Sequence, residues 1–168
     1  MKDLHVSWDE YNRLVEKLAL AVWESGWTFD AVVCLARGGL RIGDVFSRLF
    51  DKPLGVLFTS SYRDDAGMAQ GRLLIGDQMS SALPLPGPRW LLVDDLADTG
   101  ATLVHALPVL RARYPQATEI RSAVLWCKGA SVARPDYFIE HLPTNPWIQQ
   151  PFEQYDHMRP GDLKARWG

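Results

Sequence analysis

Three carboxylates and two hydroxyls crowd the stretch from Asp94 to Thr102, Asp-Asp-Leu-Ala-Asp-Thr-Gly-Ala-Thr. The apolar run Trp90–Val93 ahead of it shows no alternation, which predicts a strand buried on both faces. Behind it Leu103, Val104, Leu107 and Leu110 begin a helical pattern. A strand, a tight loop and a helix start aim backbone N–H groups at one point, where the helix dipole favours an anion. Gly100 lets the chain turn and a phosphate come close, and Thr99 and Thr102 add hydroxyl donors. No Gly-Lys-Ser/Thr follows the turn, so a nucleoside triphosphatase is not indicated. Asp94 and Asp95 stand just before the anion cradle, placed to hold sugar hydroxyls or a hydrated Mg²⁺.

A second unit of the same kind lies upstream. Asp30–Ala36 is an apolar, partly β-branched run that predicts a core strand, and Arg37-Gly38-Gly39-Leu40 turns into a helix over Ile42–Phe50. The turn could take an anion, although a bare βα turn explains Arg-Gly-Gly equally well. Two such units on one parallel sheet open at the same carboxyl edge, where ligands of such sheets bind. Ile120–Cys127 is a further buried strand, and Lys128 directly after it would stand at that edge too.

The remaining chain supplies support. At 168 residues, with 47% hydrophobic and 23% charged side chains, it fits one α/β domain with a substantial core. The net charge of −2 provides no basic field for nucleic acid. No apolar run reaches membrane length and no leader pattern opens the chain, so a cytoplasmic location is expected. Ser7-Trp8-Asp9-Glu10 predicts a capping box opening a helix from Trp8 to Glu24, with Gly26 at its end. Cys34 and Cys127 lie in apolar runs as buried thiols without metal spacing. His5, His105, His141 and His157 are scattered and receive no role.

Leu54–Thr59 predicts another strand, followed by Ser60-Ser61-Tyr62 and a polar loop over Arg63–Gly71. Arg72–Gly76 reads as a short return strand, and Asp77–Arg89, with Pro84, Pro86 and Pro88, as a surface connector. A helix is expected from Leu103 to Tyr114, kinked or split by Pro108. Tyr137–Glu140 predicts a short strand, His141–Glu153 reads as irregular, and the tail after Asp156 carries no usable motif.

Val93-Asp94-Asp95-Leu96-Ala97-Asp98-Thr99-Gly100-Ala101-Thr102 resembles the phosphoribosyl pyrophosphate (PRPP) signature of type I phosphoribosyltransferases. Ala36-Arg37-Gly38-Gly39-Leu40, Ser60-Ser61-Tyr62, Lys128 and Trp147-Ile148-Gln149-Gln150-Pro151-Phe152-Glu153 extend the likeness toward the bacterial xanthine–guanine (6-oxopurine) branch. Glu153 stands where that branch has aspartate, and the proline-rich connector resembles an insertion.

The resemblance implies a central, mostly parallel sheet flanked by helices, with a flexible lid loop and a small C-terminal hood. The whole chain would be one domain, its core about residues 28–128 and its hood about 129–156 plus part of the N-terminus. It also implies roles. Asp98, Thr99, Gly100, Ala101 and Thr102 would hold the 5′-phosphate, with Asp98 also the general base. Asp94 and Asp95 would hold the ribose and Mg²⁺, with Glu153 a further metal contact. Arg37, Gly38, Ser61 and Tyr62 would meet pyrophosphate, helped by a non-proline cis peptide expected at Arg37–Gly38. Lys128, Trp147 and Ile148 would bind the purine.

The partners implied are PRPP and a 6-oxopurine, with neither nucleic acid nor membrane, in a homodimer or homotetramer. Two alternatives stay open at this point. One is a PRPP-binding regulator of nucleotide-synthesis genes, and the other a phosphoribosyltransferase for a different base.

Overall fold

The structure, a computed structural model, describes residues 3–62 and 72–168. The loop expected over Arg63–Gly71 lies outside them. Strand β1 (Leu4–His5) leads into helix α1 (Trp8–Glu24), whose start is fixed as anticipated. The Glu10 amide donates to Ser7 Oγ at 3.2 Å, and the Ser7 amide donates to the Glu10 carboxylate at 2.8 Å. Strand β2 (Ala31–Ala36) and helix α2 (Leu40–Phe50) follow, then β3 (Leu54–Tyr62), β4 (Arg72–Ile75) and β5 (Arg89–Val93). A two-residue strand, β6 (Leu96–Ala97), precedes helix α3 (Ala101–Arg113). Next come β7 (Glu119–Lys128), β8 (Tyr137–Leu142) and β9 (Ile148–Gln149). Helices α4 (Gln154–His157) and α5 (Pro160–Trp167) close the chain.

The fold is α/β. A seven-stranded sheet runs β4-β3-β2-β5-β7, with β6 continuing the β5 side of β7 and β8 pairing the other side. Every pairing is parallel except β3 with β4. Both faces are covered, which explains why the central strands read as unbroken apolar runs. On β2, Val32 and Cys34 face the core beneath α1 and α2, while Ala31, Val33 and Leu35 face the core beneath α3. The partition repeats on β5, where Leu91 and Val93 point one way and Trp90 and Leu92 the other. Separately, β1 and β9 pair in parallel, Leu4 opposite Ile148, tying the N-terminus to the C-terminal segment.

Pro108 neither splits α3 nor ends it. It denies a donor to the carbonyl of Val104, and both residues lie on the exposed side of the helix, so the unpaired carbonyl faces solvent rather than the core. The stretch read as irregular contains the end of β8 and all of β9. Two-residue strands lack the repeats from which alternation is recognised. The tail also folds. Pro160 occupies the first turn of α5, and the Arg159 amide donates to the Asp162 carboxylate at 2.7 Å.

Candidate active site

The two adjacent acids are built into the sheet rather than suspended in a loop. The Asp94 amide donates to the Ala123 carbonyl at 3.1 Å, and the Asp95 carbonyl accepts from Leu125 and Trp126 at 3.0 and 3.3 Å. Strand β7 therefore fixes the backbone of both. Asp94 Oδ1 accepts from the Asp95 amide at 2.9 Å, and Asp95 Oδ2 accepts from Gln150 Nε2 at 2.6 Å. Burial, reinforced by the neighbouring Asp95 charge, pushes the Asp94 carboxyl well above the usual carboxylate range. Burial raises Asp95 as well, opposed by the Gln150 amide, which favours its anion.

The turn after β2 approaches this pair directly. A Cβ added at Gly38 would lie 2.6 Å from Asp95 Oδ1, so glycine there allows the Arg37 turn to touch the carboxylate. The cis peptide lies at Ala36–Arg37, one bond before the expected Arg37–Gly38 position. The reversal accordingly starts at the last strand residue, and the Gly39 amide already donates back to the Leu35 carbonyl at 2.8 Å. The Arg37 guanidinium meets Asp156 of α4 at 3.4 Å in an exposed ion pair.

Gly100 has a φ of +78° at the N-cap of α3. Its missing Cβ would lie 2.5 Å from the Ala133 amide nitrogen, so the loop and the segment after β7 are closely packed. The Val132 amide donates to the Thr99 carbonyl at 2.9 Å, and Thr99 Oγ1 accepts from the Ala101 amide at 3.3 Å. Asp98 and Thr99 are exposed, while Ala101 and Thr102 are half-buried in the first turn of α3. That turn carries amides with no intrahelical partner. Lys128 is only 6% exposed, yet its Nζ reaches the Asp98 carboxylate at 3.0 Å.

One cleft of about 790 Å³ brings together Arg37, Gly38, Asp95, Trp147 and Glu153. Trp147 is 59% exposed at its mouth and Ile148 is buried. The Trp147 carbonyl accepts from the Leu4 amide at 2.8 Å, leaving its second lone pair. Burial, with the charge of Asp95 among the further causes, raises the Glu153 carboxyl. Lys128 instead lines a neighbouring cavity of about 400 Å³ with Ser131, Ala133 and Arg134, and its pairing with Asp98 links it to the loop ahead of α3. Ser61 and Tyr62 are the final residues of β3, paired with Leu73 and Arg72 at the mouth of the loop expected to follow.

Four further residues in or beneath this cleft carried no role from the sequence. Gln150 is buried with its Oε1 unpartnered, and the hydroxyl of Tyr11 is likewise buried without a partner. Burial, together with the charges of Asp95 and Asp94, holds that phenol well above its usual range. Arg41 and Asp156 line the cleft. The i, i+4 spacing of Arg37 and Arg41 was the available signal for Arg41. Contacts formed only by the fold revealed the other three.

Among the described residues no group of three His, Cys, Asp or Glu side chains converges on a metal position. Two adjacent carboxylates nevertheless suit Mg²⁺, which commonly takes one or two carboxylates and completes its shell with water and substrate phosphates. The buried, mutually repelling pair at Asp94 and Asp95 is a donor set of that kind.

Residues 7–157 match the phosphoribosyl transferase domain family. A xanthine-guanine phosphoribosyltransferase from Nitratidesulfovibrio vulgaris is 28% identical over 149 residues, 88% of this chain and 83% of that protein. The purine phosphoribosyltransferase from Pyrococcus horikoshii superposes with a TM-score of 0.68 at 27% identity, covering 90% of this chain and 94% of the other. The Helicobacter pylori xanthine-guanine-hypoxanthine phosphoribosyltransferase shares the fold with a TM-score of 0.73 at 24% identity, over 98% and 99% of the two chains.

Proposed function

The chain belongs to the phosphoribosyl transferase family, and from that premise we propose that it moves the 5-phosphoribosyl group of PRPP onto a 6-oxopurine, xanthine, guanine or hypoxanthine, in purine salvage. The products are the nucleoside 5′-monophosphate and pyrophosphate. The observation that carries the choice of base is the Lys128–Asp98 pair, 3.0 Å apart. An ammonium donor beside a carboxylate acceptor complements a purine edge with a carbonyl at C6 and a proton on N7. A 6-amino group would present hydrogens to the ammonium instead, with no acceptor to offer.

In this reading Lys128 donates to the 6-oxo group and Asp98 takes the N7 proton. N9 then attacks C1′ as the C1′–oxygen bond to pyrophosphate breaks. Amides and hydroxyls of Asp98, Thr99, Gly100, Ala101 and Thr102 hold the 5′-phosphate. Asp94 and Asp95 hold the ribose hydroxyls, and, ionised by a bound Mg²⁺, their charge would favour the cation-like sugar of the transition state. Mg²⁺ held at Asp94 and Asp95 would offset the charge gathering on the leaving group. Glu153, on the wall of the same cleft, would be a further contact of that metal.

Arg37, Gly38, Ser61 and Tyr62 receive the pyrophosphate. Trp147 stacks on the purine, while the main chain of Trp147 and Ile148 reads its 2-position. A single domain working as a homodimer or homotetramer in the cytoplasm completes the reading. In the described residues no helix is long and apolar enough to cross a membrane.

Incubating the protein with PRPP, Mg²⁺ and each purine in turn tests the proposal. Nucleotide and pyrophosphate should appear in equal amounts with at least one 6-oxopurine and not with adenine. Turnover with adenine or a pyrimidine alone would reject the choice of base, and no turnover with any base would reject the transferase reading.

A further inference from the structure

We propose that Arg41 is a second pyrophosphate-binding cation, acting beside Arg37 at the leaving-group end of the cleft. The assignment rests on the transferase reading and adds a residue to it. Arg41 lies in the first turn of α2, and Arg37 in the turn that leads into that helix. Both line the large cleft, together with the carboxylates Asp95, Glu153 and Asp156.

The two arginines are held differently. Arg37 has a carboxylate partner, Asp156, at 3.4 Å. Arg41 pairs with no carboxylate among the described residues and is clasped by aromatic rings instead. Its guanidinium carbon lies 4.5 Å from the centre of the Phe152 ring and 5.3 Å from that of Trp8. Rings contact the faces of a guanidinium and leave its edge free, and the edge carries the N–H fork that matches phosphoryl oxygens two at a time. Phe152 packs edge-on to Tyr11, with ring centres 5.7 Å apart, and Asp95 lines the same cleft as Arg41 and Phe152. Arg41 is therefore anchored over the same floor as the ribose carboxylates.

The charge balance explains why a second cation is needed. Three carboxylates line the cleft into which a polyanion must settle, and one of its two arginines is already paired. A clasped, unpaired guanidinium supplies attraction without first breaking an ion pair. Its planar fork also favours the paired oxygens of a phosphoryl group over a single-point anion.

The test is titration calorimetry of Mg²⁺-pyrophosphate into the full-length protein, for the native chain, Arg41→Met and Arg41→Lys. Methionine retains an apolar stem against the rings and removes the charge, whereas lysine keeps the charge and loses the fork. Arg41→Met should weaken pyrophosphate binding by about tenfold or more, with Arg41→Lys intermediate. KM for PRPP should rise with it, while KM for the purine and the melting temperature stay near native values. Native pyrophosphate affinity in a folded Arg41→Met would overturn the proposal. So would a changed melting temperature and purine KM at constant pyrophosphate affinity, which would make Arg41 a structural clasp. If no base supports turnover but Arg41→Met still loses pyrophosphate, Arg41 remains a pyrophosphate-binding cation and the transferase reading falls.

Discussion

Asp94 and Asp95 keep two carboxylates side by side in the interior, where burial favours the protonated form of both and the Asp95 charge favours it further at Asp94. Their raised pKa values mean that the folded chain binds these protons more tightly than the unfolded chain, where carboxyls titrate near about 4. Folding is then helped at low pH. The benefit is lost as pH rises from the unfolded value through the raised ones. Asp94→Asn should therefore melt higher than the native protein at neutral pH in the absence of metal, and the difference should shrink toward pH 4. Thermal unfolding of both proteins across that range measures it, and the same variant should lose transferase activity. At the opposite side of the site, Asp98→Asn should lower kcat by about 10²–10⁴-fold, the usual weight of a general base. PRPP affinity should stay within several-fold, because the amides of the loop remain. Lys128→Ala should raise KM for the purine far more than KM for PRPP, measured by varying each substrate separately.

Elements place these residues at one edge, and their legibility in the sequence varied with how local their causes are. Strands β2, β5 and β7 could be read because burial on both faces demands continuous apolar runs. The start of α1 could be read because Ser7 and Glu10 satisfy each other within one turn. Ser7→Ala should accordingly cost about 1 kcal/mol of stability, measured by denaturant titration, without changing either KM. The strand β9 and the helix α5 were hidden. The first owes its conformation to β1 at the far end of the chain, and the second opens on an arginine rather than a usual capping residue. Gln150 shows the same limit within the site. Its type and position in the hood were visible, but its 2.6 Å bond to Asp95 exists only once β9 has docked. The cis peptide was located one bond too late because Arg-Gly-Gly marks a turn without saying where in the strand the reversal begins.

Across the whole molecule, the C-terminal segment closes over the edge where the sheet exposes its loops. Trp147, Phe152, Glu153 and Asp156 all reach the cleft from it, and β1 latches it to the opposite terminus. Assembly of the cleft thus depends on contacts between the two ends of the chain. Exposed tryptophans at Trp23 and Trp167, 69% and 80% accessible, leave apolar surface outside the cleft. Sedimentation of the native protein should reveal a homodimer or homotetramer if that surface is covered by a second copy.

The Arg37–Asp156 ion pair has an outcome for turnover. In the proposed role of Arg37, an arriving polyphosphate would find it engaged by the protein's own carboxylate and would have to evict it, so part of the attraction would be spent on the exchange. The same carboxylate is tethered at hand when the product leaves and can reclaim the guanidinium, a resident competitor that hastens departure. Asp156→Asn should therefore hold pyrophosphate several-fold longer, and slower release after a single turnover in a rapid-mixing experiment would register it. An enzyme that must let go of a highly charged product gains by keeping its grip provisional.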